Sequence, residues 1–168
     1  EESAAFRFLG METDYSAVKD DLFRRFGERG PMADAIKASD GIAILRQDPW
    51  ETTVSFIISQ NNNIPRIKKI VETLCALYGD ETGLGNEIYH TFPSAERVAS
   101  LSEKDLEPLR SGYRAPYILN AAREVADGRL DLEAISRMEY PEAKKRLMEM
   151  SGIGEKVANC VVLFSLRM

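Results

Sequence analysis

Apolar side chains recur every three or four residues along most of this chain, the spacing of helices that bury one face. Val18, Leu22, Phe23 and Phe26 form the first such face, opened by Asp14 as a cap and stopped at Gly27. Pro31 opens a short helix that closes near Gly41, and Ile42-Ala43-Ile44-Leu45 is an apolar link. Asp48-Pro49 sets a capping carboxylate before a proline at the first helical position, and that helix turns Trp50, Val54, Ile57 and Ile58 inward. It runs into Gln60-Asn61-Asn62-Asn63, where the asparagines prefer turns and caps to helix. A helix opened at Pro65 and closed at Gly79 carries Ile64, Ile67, Ile70, Val71, Leu74, Leu77 and Tyr78 on one side. Residues 80–92 read as a loop rich in glycine and acid. Short helices start at Pro93 and Ser102, and Ser111-Gly112-Tyr113-Arg114 is a turn. Ala115 to Ala126 is a helix with Ile118, Leu119, Ala122, Val125 and Ala126 inward, followed by a short helix at 131–137 and another opened by Pro141. Only Phe6-Arg7-Phe8-Leu9 alternates like a strand, and a lone strand cannot satisfy its own backbone. The pattern predicts roughly nine or ten helices with short links, an all-α domain.

The last predicted pair of helices carries the most chemistry. Leu147 and Met150 precede Ser151-Gly152-Ile153-Gly154, and Val157, Ala158, Val161 and Val162 follow. That is helix, tight turn, helix. The glycines permit backbone conformations that side chains resist and let another molecule come close. Orphan N–H groups at the start of the second helix suit a phosphate. Gly-Ile-Gly alone is also an ordinary turn; the apolar positions on both sides favour phosphate binding. Lys156 lies in the first turn of the second helix, where the macrodipole disfavours a cation.

Composition narrows the class. A chain of 168 residues, 44% hydrophobic and 29% charged, suits one domain or two small lobes of soluble globular character. Neither a membrane-spanning run nor a signal peptide is evident in it. Cys75 and Cys160 form no metal-binding pair or disulfide framework and sit in apolar helical stripes, so buried free thiols in a reducing compartment are expected. One histidine, His90, excludes a multi-histidine metal site. A net charge of −5 argues against nucleic-acid binding over a broad basic face, though not against a narrow footprint of backbone N–H groups and a few arginines.

Four segments together resemble one family. They are Gly41-Ile42-Ala43-Ile44-Leu45-Arg46-Gln47-Asp48-Pro49, Ser59-Gln60-Asn61-Asn62-Asn63-Ile64-Pro65-Arg66-Ile67, Gly112-Tyr113-Arg114-Ala115, and Ser151-Gly152-Ile153-Gly154-Glu155-Lys156-Val157-Ala158-Asn159-Cys160. In this order they resemble the 8-oxoguanine DNA glycosylase/lyase branch of the helix-hairpin-helix-GPD superfamily, from about Phe6 to the end. The hairpin alone indicates DNA-binding helix-hairpin-helix proteins; the asparagine triplet before Pro-Arg, with Gly-Tyr-Arg downstream, indicates the 8-oxoguanine branch.

The resemblance implies a base-excision repair enzyme acting on double-stranded DNA with 8-oxoguanine opposite cytosine. Lys156 matches the catalytic lysine, which attacks C1′ of a flipped nucleotide, expels the damaged base and forms a Schiff base that can lead to strand cleavage. A lysine nucleophile must be neutral, and desolvation and a helix N-terminus both favour that form. Asn61, Arg66 and Arg114 match the residues that hydrogen-bond the cytosine left behind, and Tyr113 matches the wedge in the opened duplex. The N–H groups of Gly152, Gly154 and Val157 match the phosphate cradle, and Cys160 a residue lining the base pocket. The carbonyls of Met148, Met150 and Ile153 match a monovalent-cation site, with no other cofactor required.

The family's aspartate, in a Pro-Val-Asp segment after the lysine helix, would fall beyond Met168, and residues 6–9 look like the last strand of an amino-terminal β domain. The expected organisation is therefore a glycosylase fragment, with residues 1–45 the end of the N-terminal domain and 46–168 the helical core. Such a fragment is expected to be monomeric, free of membranes, weak in DNA binding and nearly inactive, from an enzyme of a prokaryotic cytoplasm. The alternatives are a glycosylase for another damaged purine and a non-catalytic helix-hairpin-helix DNA-binding module. Alkyl-purine members usually lack the lysine.

Overall fold

The computed structural model describes residues 2–85 and 87–166, which fall into two compact units divided between Gln47 and Asp48. The first holds α1 (Glu2–Phe8), α2 (Tyr15–Phe26) and α3 (Pro31–Ala38). Asp14 caps α2 by accepting from the N–H groups of Ser16 and Ala17 at 3.0 and 3.1 Å. The strand expected at Phe6–Leu9 is instead the end of α1, and the N–H of Leu9 bonds back to Ala5 at 2.9 Å. The reason is local. Ala4-Ala5 feeds helix formers into a segment with no strand beside it among the described residues. One backbone bond, from Arg46 N–H to Phe8 carbonyl at 2.8 Å, ties the end of α1 to the link before Asp48.

The second unit is helical, as the apolar spacing predicts. α4 (Pro49–Ser59) starts on Asp48, whose Oδ1 accepts from Glu51 N–H at 2.8 Å. α5 (Ile64–Tyr78) starts on Asn63, whose side chain accepts from Arg66 N–H at 3.0 Å. α6 (Ala95–Ala99), α7 (Ala115–Ala126), α8 (Leu132–Ile135), α9 (Tyr140–Met148) and α10 (Glu155–Val161) complete the set, and a π-helical turn, Val162–Leu166, extends α10. Short 3-10 turns at Glu107–Leu109 and Gly112–Arg114 lead into α7. Ile57, Ile58, Leu74, Ile118, Leu119, Leu147 and Val161 fill one core, with α10 packed on α4 and α9 and α6 on α7.

Two expectations fail here. Residues 80–92 contain an antiparallel hairpin, β1 (Glu81–Leu84) and β2 (Glu87–His90), with Glu81 opposite His90. Every described residue of β2 is exposed, so no buried face imposes the period-two alternation by which a strand is read from sequence. On α5, Ile64 is 81% and Leu77 47% exposed rather than inward. Both lie at helix ends, before the first turn meets the core and after the last has left it.

The α4 cap is testable in isolation. Asp48→Ala removes the acceptor for Glu51 N–H and is expected to lower unfolding free energy by about 1 kcal/mol in a denaturant titration.

Candidate active site

Three sequence segments meet at the C-terminal end of α4. The helix terminates at Gln60, and Asn61 follows with φ +46, a left-handed conformation that asparagine tolerates better than other side-chain-bearing residues. The asparagine triplet then divides its work. Asn62 donates from Nδ2 to the Ile58 carbonyl at 3.0 Å, closing α4, and Asn63 caps α5. Asn61 is left with an exposed side-chain amide that takes no part in either cap.

Arg114 holds this turn from the second segment. It is 3% exposed. Its Nε donates to the Gln60 carbonyl at 2.9 Å, its Nη2 to the carbonyls of Gln60 and of Asn61 (2.9 Å to the latter), and its Nη1 to the Ser111 carbonyl at 3.1 Å. A guanidinium has five N–H donors, so this leaves at most one for a base. In this structure Arg114, expected to hydrogen-bond the opposite cytosine, braces the Gln60–Asn61 turn. Arg66 is exposed and donates from Nη2 to the Arg110 carbonyl at 2.9 Å. Tyr113 is 54% exposed, lies under the Arg114 guanidinium at 4.4 Å, and donates its hydroxyl to the Gln60 carbonyl at 3.3 Å.

The third segment is the turn between α9 and α10. Gly152 has φ +90, and a Cβ there would sit 2.5 Å from Cγ of Tyr117. Both the backbone conformation and the packing of Tyr117 require glycine. Gly154 differs, because its φ of −90° is open to any residue and nothing lies within 4 Å of its Cβ position. The fold itself does not need glycine at 154; a ligand that approaches the backbone closely would. Among the described residues no group accepts from the N–H of Gly152, Gly154 or Val157.

Lys156 is exposed on the first turn of α10. No described side chain withdraws it from water, so the desolvation expected of a nucleophile would have to come with the substrate. Its neighbour Glu155 pairs with Lys144 at 2.6 Å, and each holds the other charged: the Glu155 carboxyl shifts down and the Lys144 ammonium up. A cavity of about 310 Å³ brings Lys156, Gly154 and Val157 together with Asn61 and Tyr113, walled by Phe56, Ser59 and Gln60. Phe56 is backed by Phe164 of the π-helical turn, the rings stacked 5.7 Å apart. Arg66 lines a separate cavity of about 390 Å³ with Lys69 and Arg110, and Cys160 lines neither. Both cysteines are free and half-buried rather than buried. The Cys75 thiol is pushed up, first by burial and then by the charge of Glu51, which keeps it protonated.

This helix, turn and helix, with the core beneath it, lies within residues 54–161, which match the family described as HhH-GPD superfamily base excision DNA repair protein. The chain belongs to that family. Among HhH-GPD relatives, an N-glycosylase/DNA lyase of Saccharomyces cerevisiae is 39% identical over 140 residues, 76% of this chain and 37% of its own length. The apo structure of the Clostridium acetobutylicum 8-oxoguanine glycosylase/lyase superposes with a TM-score of 0.88 at 34% identity, covering 99% of this chain and 57% of that one. The same enzyme in complex with double-stranded DNA containing cytosine opposite 8-oxoguanine gives 0.85 at 32% identity, covering 99% of this chain and 56% of that one. The chain thus spans between about a third and three-fifths of the length of these relatives.

Sequence reading missed Gln60, Phe56 and Tyr117. A glutamine at a helix end and aromatic residues on apolar faces are ordinary features, and only their neighbours in space single them out.

The two hairpin glycines should separate. Gly152→Ala is expected to cost about 1–3 kcal/mol of stability, and Gly154→Ala to leave stability unchanged while weakening duplex binding roughly tenfold in a titration, because a methyl group holds a phosphate off the N–H groups. Arg114→Met should lower unfolding free energy by about 2–3 kcal/mol by stranding the carbonyls it serves.

Proposed function

We propose that the full-length protein is an 8-oxoguanine DNA glycosylase with associated lyase activity, acting in base excision repair on duplex DNA with cytosine opposite the lesion. The cavity carries this reading: a lysine, an unengaged asparagine amide and a half-exposed tyrosine open onto one space. The name of the yeast relative and the DNA in the Clostridium complex support it.

Each group has a task that its placement allows. The N–H groups of Gly152, Gly154 and Val157 hold a phosphate of the lesion strand and so set the flipped nucleotide over α10. The Lys156 amine attacks C1′; a carbon–nitrogen bond forms as the bond to the base breaks, and the base leaves with the electron pair and takes up a proton. The product is an aminal; its nitrogen lone pair then breaks the C1′–O4′ bond, O4′ takes up a proton, and the ring-opened Schiff base permits strand cleavage. Asn61 and Arg66 hydrogen-bond the cytosine left behind, and Tyr113 stacks in the gap. Arg114 joins them at the cytosine with its one remaining N–H, while it grips the Asn61 carbonyl. Cys160, one turn beyond Lys156 on the same helix, is assigned to the wall of the base pocket.

A monovalent cation is assigned to the carbonyls of Met148, Met150 and Ile153. The donor set fits: carbonyls at the end of α9 and in the turn that follows lie outside the helical ladder, and hard oxygen ligands suit such an ion. Met150 also accepts from Ile153 N–H at 3.1 Å, which leaves its second lone pair for the ion. When bound, the ion would lower the repulsion around the phosphate. No other cofactor is assigned. An enzyme acting on DNA works inside the cell, and we assign it, as a monomer, to the cytoplasm of a prokaryote.

The test is borohydride trapping of the full-length protein on an 8-oxoguanine duplex. The native protein should give a covalent adduct and Lys156→Gln none; an adduct that survives the substitution overturns the role of Lys156. Binding without excision or trapping by the native protein would favour a non-catalytic module. Arg66→Ala should reduce the preference for cytosine over other opposite bases roughly tenfold in single-turnover excision, about 1–3 kcal/mol of discrimination.

A further inference from the structure

We propose that Gln60 is the positioning residue that holds the nucleophile's hairpin and the opposite-base loop in one register. This rests on the function proposed above. Its side-chain amide and its backbone carbonyl face different parts of the site. From Nε2 it donates to the Gly152 carbonyl at 2.8 Å and to the Ile57 carbonyl at 3.3 Å, which joins the end of α4 to the hairpin across 92 residues of sequence. Its carbonyl accepts from Arg114 and from the Tyr113 hydroxyl. Gln60 thus touches the hairpin, the wedge and the brace at once, and it is covalently joined to Asn61.

The hydrogen bond acts where the hairpin's direction is decided. Gly152 is the hairpin residue in the left-handed region, with Tyr117 pressed against its far side. Fixing its carbonyl fixes the peptide plane between Gly152 and Ile153, and with it the course of the chain into Gly154 and Lys156. On the other side, Arg114 and Tyr113 fix the carbonyl of Gln60, so the amide cannot follow the hairpin without moving Asn61. A shift at the opposite base is therefore passed to Lys156 through one side chain. Gln60 is assigned no contact with the substrate; it acts through Gly152 and Asn61. Among the described residues its charged neighbours along the cavity are Lys156 and, at its carbonyl, Arg114.

Two substitutions in the full-length protein test this. Gln60→Met keeps the length and removes the donor. Gln60→Asn keeps the amide and removes the reach. In both, single-turnover excision of 8-oxoguanine opposite cytosine should fall about three- to tenfold with duplex affinity held within about twofold, the effect of one lost hydrogen bond. The ratio of rates opposite cytosine and opposite adenine should fall by a similar factor. A bond that serves stability alone would lower the melting temperature and leave that ratio unchanged in the folded protein, which overturns the proposal. Amide hydrogen exchange gives a readout independent of the reaction: Ile153 and Arg66 N–H, one on each side of Gln60, should exchange faster in both variants, and unchanged exchange also overturns it. A native protein that excises nothing removes the functional reading, and the exchange measurement then decides the mechanical link by itself.

Discussion

The carbonyls at the end of α4 are the constraint on which the site depends. The chain leaving a helix carries carbonyls without helical partners, and here those of Gln60 and Asn61 are met by Arg114. Burying them unpaired would cost about 1–3 kcal/mol each. The Arg114 guanidinium meets them, and its own burial is tolerable because four N–H contacts to carbonyls replace its water. The chain can then leave α4 through a left-handed Asn61 and re-enter helix at Asn63 within a few residues. α7, which carries the brace at its head, α4, which carries the loop, and α10, which carries the lysine, are thereby drawn to one place.

The two glycines of the hairpin answer to different demands. Gly152 is set by the protein, through φ +90 and the ring of Tyr117. Among the described residues nothing sets Gly154, and the N–H groups of Gly152, Gly154 and Val157 have no acceptors. This contrast separates a residue that makes the fold from one that admits a ligand, although both read as glycine in the same turn.

Charge is arranged in the same local way. The chain is acidic overall, at −5. Around the hairpin, Lys144 neutralises Glu155, so the carboxylate next to Lys156 does not oppose a phosphate. Arg66, Lys69 and Arg110 gather along the neighbouring cavity. A narrow cationic strip on an acidic body matches binding through a few phosphates rather than a broad basic face.

Local chemistry made most of this legible in the sequence. Asp14, Asp48 and Asn63 cap helices through short-range bonds, and the apolar stripes of α4, α7 and α10 pack because their spacing is helical. Lys156, Asn61 and Tyr113 could be named from motifs, and they do open onto one cavity. What was hidden depends on contacts between distant residues. Among the described residues the hairpin at 81–90 shows no buried face to imprint on its sequence, and Phe6–Leu9 has no partner strand to hold it extended. Arg114 reads as a surface arginine until the carbonyls of Gln60 and Asn61 are brought over it. Gln60 reads as a polar residue at a helix end until Gly152 is brought against it. The sequence by itself determined the helices and the chemical groups, because those follow from neighbours along the chain. The tertiary structure decided which groups are free to act and which hold others in place, because a donor is committed only when a carbonyl from elsewhere in the chain is packed within its reach.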